Sequence, residues 1–407
     1  MATTLLHLAN HRSNNIGNAA LILGLERVLR EDWPGEVRFD REPWDEYSRG
    51  LRSFDERFVE RLNSGCDALL VGGAVTFEGR ERYAATGSRF DLPLELWQRI
   101  EKPIVFYGVS QRTWPYRRYH HMGALRRMLE HVVSSDRVLF AARNDGTKQW
   151  LEGVLGRPSE RILEAPDPAL YVPVRDAWHP ELAIGKVNVI VSLNAEDELY
   201  RFGGALREQF WRRLGGTLSE ERLRALFLRT RGWTRARGRL LSGLARAFER
   251  LAAEHDLQLV LAPHGFGDLP LTNAFLSQLP DELKLRTVTA NAGLPTAHGP
   301  YFYDLYAKAS LAVSMRIHSM NPAIGLGTPT VPLVSQARMR EFMADAGLGD
   351  LTVDVLDPDV GERAYTAMSR ALRDADDVRA RLRRAVEALR ERTAELDRRV
   401  AAFVEAG

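Results

Sequence analysis

Short apolar runs with the composition of strands alternate with amphipathic stretches from the start of the chain. TLLHLAN (4–10), EVRFD (36–40), DALLVGGA (67–74), KPIVFYGVS (102–110) and RVLFAAR (137–143) read as strands, with helical patterns such as 18–31 and 122–133 between them. This alternation predicts βαβ units and a mostly parallel sheet. The Pro- and Asp-rich stretch APDPALYVPVRDAWHP (165–180) interrupts the rhythm, which bounds a first domain at 1–175. The rhythm resumes with KVNVIVSLN (186–194), QLVLAPH (258–264), LKLRTVTA (283–290), LAVSM (311–315), TPTVPLVS (328–335) and LTVDVL (351–356), giving a second α/β domain over 176–370.

In the remaining segment, 371–407, Val378, Leu382, Val386, Leu389, Leu396, Val400 and Phe403 recur at spacings of three, four or their sum, with charges between them. That is the pattern of one long helix. It either packs across the two domains or forms a homodimer by pairing with a second copy as a short coiled coil.

Residues 197–239 stand apart from this rhythm. Arginines, among them Arg212, Arg213, Arg229, Arg235 and Arg237, are interleaved there with Phe210, Trp211 and Trp233, which is not the composition of a disordered linker. The segment reads either as a solvated helical pair or as a lid, its aromatic and cationic residues suited to an anionic ligand or to a lipid-linked acceptor at a membrane surface. Its spacing resembles no nucleic-acid module, and a net charge of +2 gives no reason to expect a nucleic-acid partner.

At 407 residues the chain is long enough for two cores of ordinary size, and its 45% hydrophobic and 27% charged residues are those of a soluble globular protein. No apolar stretch is long enough to cross a bilayer, and residues 1–9 lack the basic and apolar regions of a signal peptide, so a cytoplasmic location is expected. The single cysteine, Cys66, excludes an internal disulfide and a cysteine metal cluster. No metal site is read from the scattered His, Asp and Glu, and no cofactor is expected.

Candidate chemistry concentrates at predicted strand ends, where ligands bind in open α/β sheets. SMRIHSMNPAIGLGTPTVPL (314–333) places Arg316, His318 and Ser319 at a strand-to-helix turn, and His264 in APHG (262–265) ends another strand on the same edge. In the first domain Arg143 closes a strand, and Gly17 and Asn18 precede a helix whose N-terminus suits an anion or a hydroxyl. Gly72 and Gly73 would let a ligand approach the backbone, while Arg338 in SQARMREF follows the next strand of the second domain.

Taken in order, these segments resemble the polysaccharide pyruvyl transferase family. NIGNAALILGLERVL (15–29) is similar to its Asn-x-Gly-Asp-x-Ala turn and helix, DALLVGGAVTFEG (67–79) to its glycine-rich strand end, and KPIVFYGVSQ (102–111) to the strand after it. ARNDGTKQWL (142–151) resembles its Arg-Asp-x-x-Ser segment, APDPAL (165–170) its Asp-Pro-Ala turn, and SMRIHS (314–319) with GTPTVPL (327–333) its most specific signature. Asn18 and Asn144 stand where the family usually has aspartate, and Arg338 where it often has lysine.

The resemblance implies an α/β fold of the glycosyltransferase-B type, with two Rossmann-like domains facing a cleft. It also implies transfer of a pyruvyl group from phosphoenolpyruvate, a donor substrate, to hydroxyls of a sugar or glycan acceptor. Making a ketal from an enol phosphate requires an acid for the methylene carbon and fixed cations for a carboxylate and a phosphate. His318 suits the first task, kept protonated by nearby anions. Arg316, Arg143 and Arg338 suit the second, because a guanidinium grips both groups in bidentate fashion and stays charged. Gly17, Asn18, Gly72, Gly73, His264 and Ser319 complete the expected lining. A glycosyltransferase using a nucleotide sugar, and a binding protein that has lost the chemistry, remain as alternatives.

Overall fold

A computed structural model of the protein describes residues 2–114, 117–202 and 231–407. Of the arginine-rich segment 197–239, residues 203–230 lie outside this set.

The first sheet is built from β1 (Thr3–Ala9), β2 (Val37–Pro43), β3 (Ala68–Gly72), β4 (Val75–Phe77), β5 (Ile104–Gln111), β6 (Val138–Arg143) and β7 (Ile162–Ala165). Its order is β2-β1-β3-β5-β6-β7, with β4 on β5, and every pairing is parallel. The second sheet comprises β8 (Val187–Ser192), β9 (Leu257–Leu261), β10 (Thr287–Thr289), β11 (Leu311–Ser314), β12 (Thr330–Val334) and β13 (Val353–Asp354), in the order β10-β9-β8-β11-β12-β13. It too is parallel throughout.

Strands buried on both faces explain the near-continuous apolar runs. Ala68–Gly72 and Thr330–Val334, for instance, are buried at every position. Two departures from the sequence reading are local. LKLRTVTA was expected to be a strand throughout, but Asp281–Lys284 forms a helical turn after Pro280, leaving only Thr287–Thr289 to pair. The short strand Ile162–Ala165 has too few residues to show a period, and it closes the first sheet just before the Pro-rich boundary.

In each sheet the strand order reverses once, between β1 and β3 and between β8 and β11. Crevices outside the carboxyl ends of strands at such points are where open α/β sheets bind ligands. Helix Gly17–Asp32, which follows β1, joins the two halves. Leu25 and Leu29 pack on the first sheet, while Ala19 and Ala20 pack against Ile190 and Val260 of the second sheet and Phe302 and Tyr303 of helix Gly299–Ala307. Helix Ala375–Ala406 then returns along both halves. Val378, Leu382 and Leu389 pack with Met320 and Ile324, whereas Leu396, Val400 and Val404 pack with Leu70, Val105 and Tyr107. Its apolar stripe is thus buried within the chain. No helix among the described residues is long and apolar enough to cross a membrane.

Candidate active site

The two reversal points face one another across a polar cleft of about 140 Å³. Asn10, Asn15 and Asn18 come from the loop and helix start after β1, Val75 from the segment after β3, and Arg112 from the end of β5. Across from them stand Asn194 and Glu196 after β8, Arg316 and His318 after β11, and Arg338 after β12. Arg89 completes the first-domain wall, where it donates to the Val75 carbonyl and to Asn10 Oδ1. Helices Gly17–Asp32, Ile317–Gly325 and Ala337–Asp345 all begin at the cleft, so their N-terminal dipoles add to the arginine charge.

His318 lies at the seam. Arg143, wholly buried at the end of β6, donates from Nη1 to His318 Nε2 at 3.2 Å and from Nε to the Gly108 carbonyl at 3.2 Å. A guanidinium can only donate, so Nε2 must accept and the remaining ring proton sits on Nδ1. Burial, with the charges of Arg143, Arg338 and Arg316, also holds the imidazole well below its ordinary pKa. The expectation that anions keep His318 protonated is therefore corrected for the free protein: cations surround the ring, and it is neutral.

Gly17 accounts for the fit on the other side of that ring. A Cβ there would stand 3.1 Å from His318 Cβ and 3.3 Å from its Nδ1, so glycine is what lets the helix start close on the imidazole. Its amide donates to Asn15 Oδ1 at 3.0 Å. Asn18 faces the cleft and is held by Ser13, to which its Nδ2 donates at 2.8 Å.

Arg316 reaches the cleft but does not offer it an open fork. Its Nε and Nη2 donate to the two oxygens of buried Asp268, each at 2.7 Å, and Nη2 also lies 3.1 Å from Glu196 Oε1. The expected bidentate grip on a ligand is thus corrected: that geometry is used on Asp268. Arg338 has more freedom. It is buried, donates from Nε to Gln336, leaves Nη1 without a protein partner, and has its pKa lowered to about 10 by desolvation. Arg143 Nη2 is likewise buried without a partner.

Four expected lining residues belong instead to the packing behind the cleft. The ring of His264 is sealed against Phe302 and Tyr303, with Nε2 3.1 Å from the Tyr306 hydroxyl. Ser319 Oγ lies 2.9 Å from both Tyr306 Oη and Ser314 Oγ. A Cβ on Gly72 would stand 2.5 Å from Leu25 Cδ2, and Gly73, at φ +64°, sits 3.2 Å from Leu21 Cβ by the same measure. Both glycines let the helix close on the strand end.

The acidic partners were not legible as such. Asn144 is buried, its Nδ2 donating to Asp345 and its Oδ1 accepting from the Asp167 amide. Its neighbour Asp145 supplies the charge expected one position earlier, accepting from Ser110 at 2.6 Å and Thr147 at 2.5 Å. Burial pushes its pKa up, against the pull of Arg143 and other donors. Asp167 of the Asp-Pro-Ala turn lies 3.3 Å from Arg143 Nη1 and accepts from Asn321 at 2.8 Å, tying the two halves together. Arg112, Asn194 and Glu196 directly follow strands, so applying the strand-end rule to every strand would have found them; Arg89 has no sequence signal.

A further cluster corrects the expectation that no metal-ligand grouping occurs. His7 and His11 are four residues apart and, with Glu26, bring potential ligand atoms within 4.8 Å of one another. The carboxylate is already saturated. Glu26 accepts from both nitrogens of an Arg41 fork, from Arg30 Nη2 and from His7 Nδ1, which places two guanidiniums where a cation would have to sit.

Residues 15–202 match the family model for polysaccharide pyruvyl transferase. Over that span the resemblance read from the sequence is borne out. The matched span carries the first wall of the cleft except Asn10, together with Asn194 and Glu196 of the facing wall, and ends before the Arg316–His318 turn. A comparison with curated proteins finds no match. Among solved structures, UDP-GlcNAc 2-epimerase from Neisseria meningitidis bound to UDP-GlcNAc is similar with a TM-score of 0.53 at 10% identity, covering 100% of each chain. UDP-GlcNAc 2-epimerase from Methanocaldococcus jannaschii gives 0.50 at 11% identity over 91% of this chain and 93% of that one. A UDP-forming α,α-trehalose-phosphate synthase from Burkholderia xenovorans gives 0.50 at 11% identity over 100% and 99%. At these identities the likeness shows the fold, which is α/β of the glycosyltransferase-B type.

Proposed function

We propose that this chain is a transferase that moves a pyruvyl group from phosphoenolpyruvate to hydroxyl groups of a sugar or glycan-like acceptor. The observation that carries this reading is the meeting of His318 with Arg143, beside Arg316 and Arg338, where three helix N-termini converge. The second domain, with Arg316, His318 and Arg338, is the donor side, and the first domain, with Asn10, Asn15 and Asn18, is the acceptor side.

Phosphoenolpyruvate brings a carboxylate and a phosphate. The unpartnered nitrogens of Arg143 and Arg338 supply donors for them, and preorganised cations of this kind stabilise developing anionic charge on the leaving phosphate. Binding of the anion draws Arg143 Nη1 away from His318 and offsets the positive field on the ring. His318 then gains a proton and delivers it to the methylene carbon. The C2=C3 π pair forms the new C3–H bond, C2 becomes cationic, and an acceptor oxygen adds to it. Loss of phosphate and addition of a second hydroxyl complete a ketal. Of the two hydroxyl protons released, one replaces that delivered to C3 and the other leaves with phosphate.

Thermal-shift measurements against phosphoenolpyruvate and a panel of nucleotide sugars test this reading. The expected result is stabilisation by phosphoenolpyruvate together with phosphate release from it when sugar glycosides are present. Stabilisation by nucleotide sugars alone would replace it with the glycosyltransferase reading.

A further inference from the structure

Glu196 is the one carboxylate among the described residues that line the cleft. It follows β8, and its side chain, about 36% exposed, reaches groups on both walls. Oε1 lies 3.1 Å from Arg316 Nη2 and accepts from Asn15 Nδ2 at 3.4 Å, while Oε2 accepts from Arg112 Nη1 at 3.4 Å. Two of these contacts lead to His318. Arg316 precedes it by two residues, and Asn15 accepts from the amide of Gly17, the residue whose missing Cβ lets the helix start close on its ring.

Resting on the pyruvyl-transfer reading, we propose that Glu196 is a catalytic residue, the base that takes the proton of the attacking acceptor hydroxyl. The acceptor wall itself is amide-lined. Asn10, Asn15 and Asn18 orient hydroxyls by hydrogen bonds but accept no proton. The nearby acids Asp145, Asp167 and Asp268 are buried and bonded behind the lining, whereas Glu196 faces the open space. In the step, the acceptor oxygen forms its bond to C2 as its O–H bond breaks, and that proton passes to a Glu196 oxygen and from there to the departing phosphate. His318 and Glu196 thus divide acid and base work between two groups at one corner. An anionic donor seated on Arg143 and Arg338 also adds negative charge beside Glu196, which strengthens it as a base at the moment it is needed.

The test compares wild-type protein with Glu196→Gln and Glu196→Asp, measuring stabilisation by phosphoenolpyruvate and phosphate release in the presence of methyl glycosides. The expected result is that Glu196→Gln is still stabilised by phosphoenolpyruvate while kcat falls by roughly 10²-fold or more. Glu196→Asp should recover part of the rate, and the acidic limb of the kcat profile should be lost in Glu196→Gln. A Glu196→Gln protein with wild-type kcat at saturating phosphoenolpyruvate, or one whose loss lies wholly in KM, would overturn the assignment of a base. Wild-type protein that is neither stabilised by phosphoenolpyruvate nor releases phosphate from it would overturn the pyruvyl reading, and this assignment with it.

Discussion

Arg143 donates to His318 Nε2 at 3.2 Å, joining residues 175 positions apart across the seam between the two sheets. This contact makes Nε2 an acceptor and, with burial, keeps the proposed acid neutral in the free protein.

Replacing His318 with Gln keeps an acceptor for Arg143 and removes the titratable ring. The fold should persist by circular dichroism, and phosphate release should fall by about 10²–10⁴-fold. A variant that folds and keeps the wild-type rate removes His318 from the mechanism.

The pH dependence follows from the same contact. The free-protein pKa of His318 lies well below its ordinary value, so the protonated fraction decreases with rising pH across the neutral range. If that proton is required, kcat/KM should fall about tenfold per pH unit there, while kcat, reporting the donor complex, should hold to higher pH. A kcat/KM profile that is flat from pH 6 to about 8 would contradict this assignment.

Asp268→Asn tests the buried fork. Asp268 and Arg316 are both removed from water, so loss of one charge should cost about 3–5 kcal/mol in denaturant unfolding. Asp281→Asn, which breaks an exposed pair with Lys284, should leave the midpoint unchanged.

Asp397, on the C-terminal helix, accepts from the Tyr107 hydroxyl at 2.6 Å. Burial and the neighbouring Asp32 raise its pKa to about 8. The folded state holds this proton where the unfolded chain has released it, so the group lowers stability progressively from about pH 4 to its folded pKa, with no further loss above that. Asp397→Asn should therefore raise Tm at pH 8, with the gain shrinking toward about pH 4.

With arginine charge available in the cleft to neutralise phosphate and the Glu26 carboxylate saturated, the proposed transfer is expected to need no divalent ion. Phosphate release should be unchanged by EDTA, and its abolition would contradict this.

The sequence by itself determined the alternating strands and helices, the long C-terminal helix and the turn carrying Arg316 and His318. Periodicity and turn residues act over a few positions, so they are written locally. Which strand ends meet is not local. Tertiary structure decided that burial and Arg143 keep His318 neutral, that Asp268 occupies the Arg316 fork, that His264 and Ser319 fall behind the cleft, and that Asp145 supplies an acid beside Asn144. It also brought Glu196, on the second-domain wall, within reach of Asn15 and Arg112 on the first. Each depends on distances between segments far apart in the chain and on exclusion of water, which fix charge and hydrogen-bond partners only once the two sheets face one another.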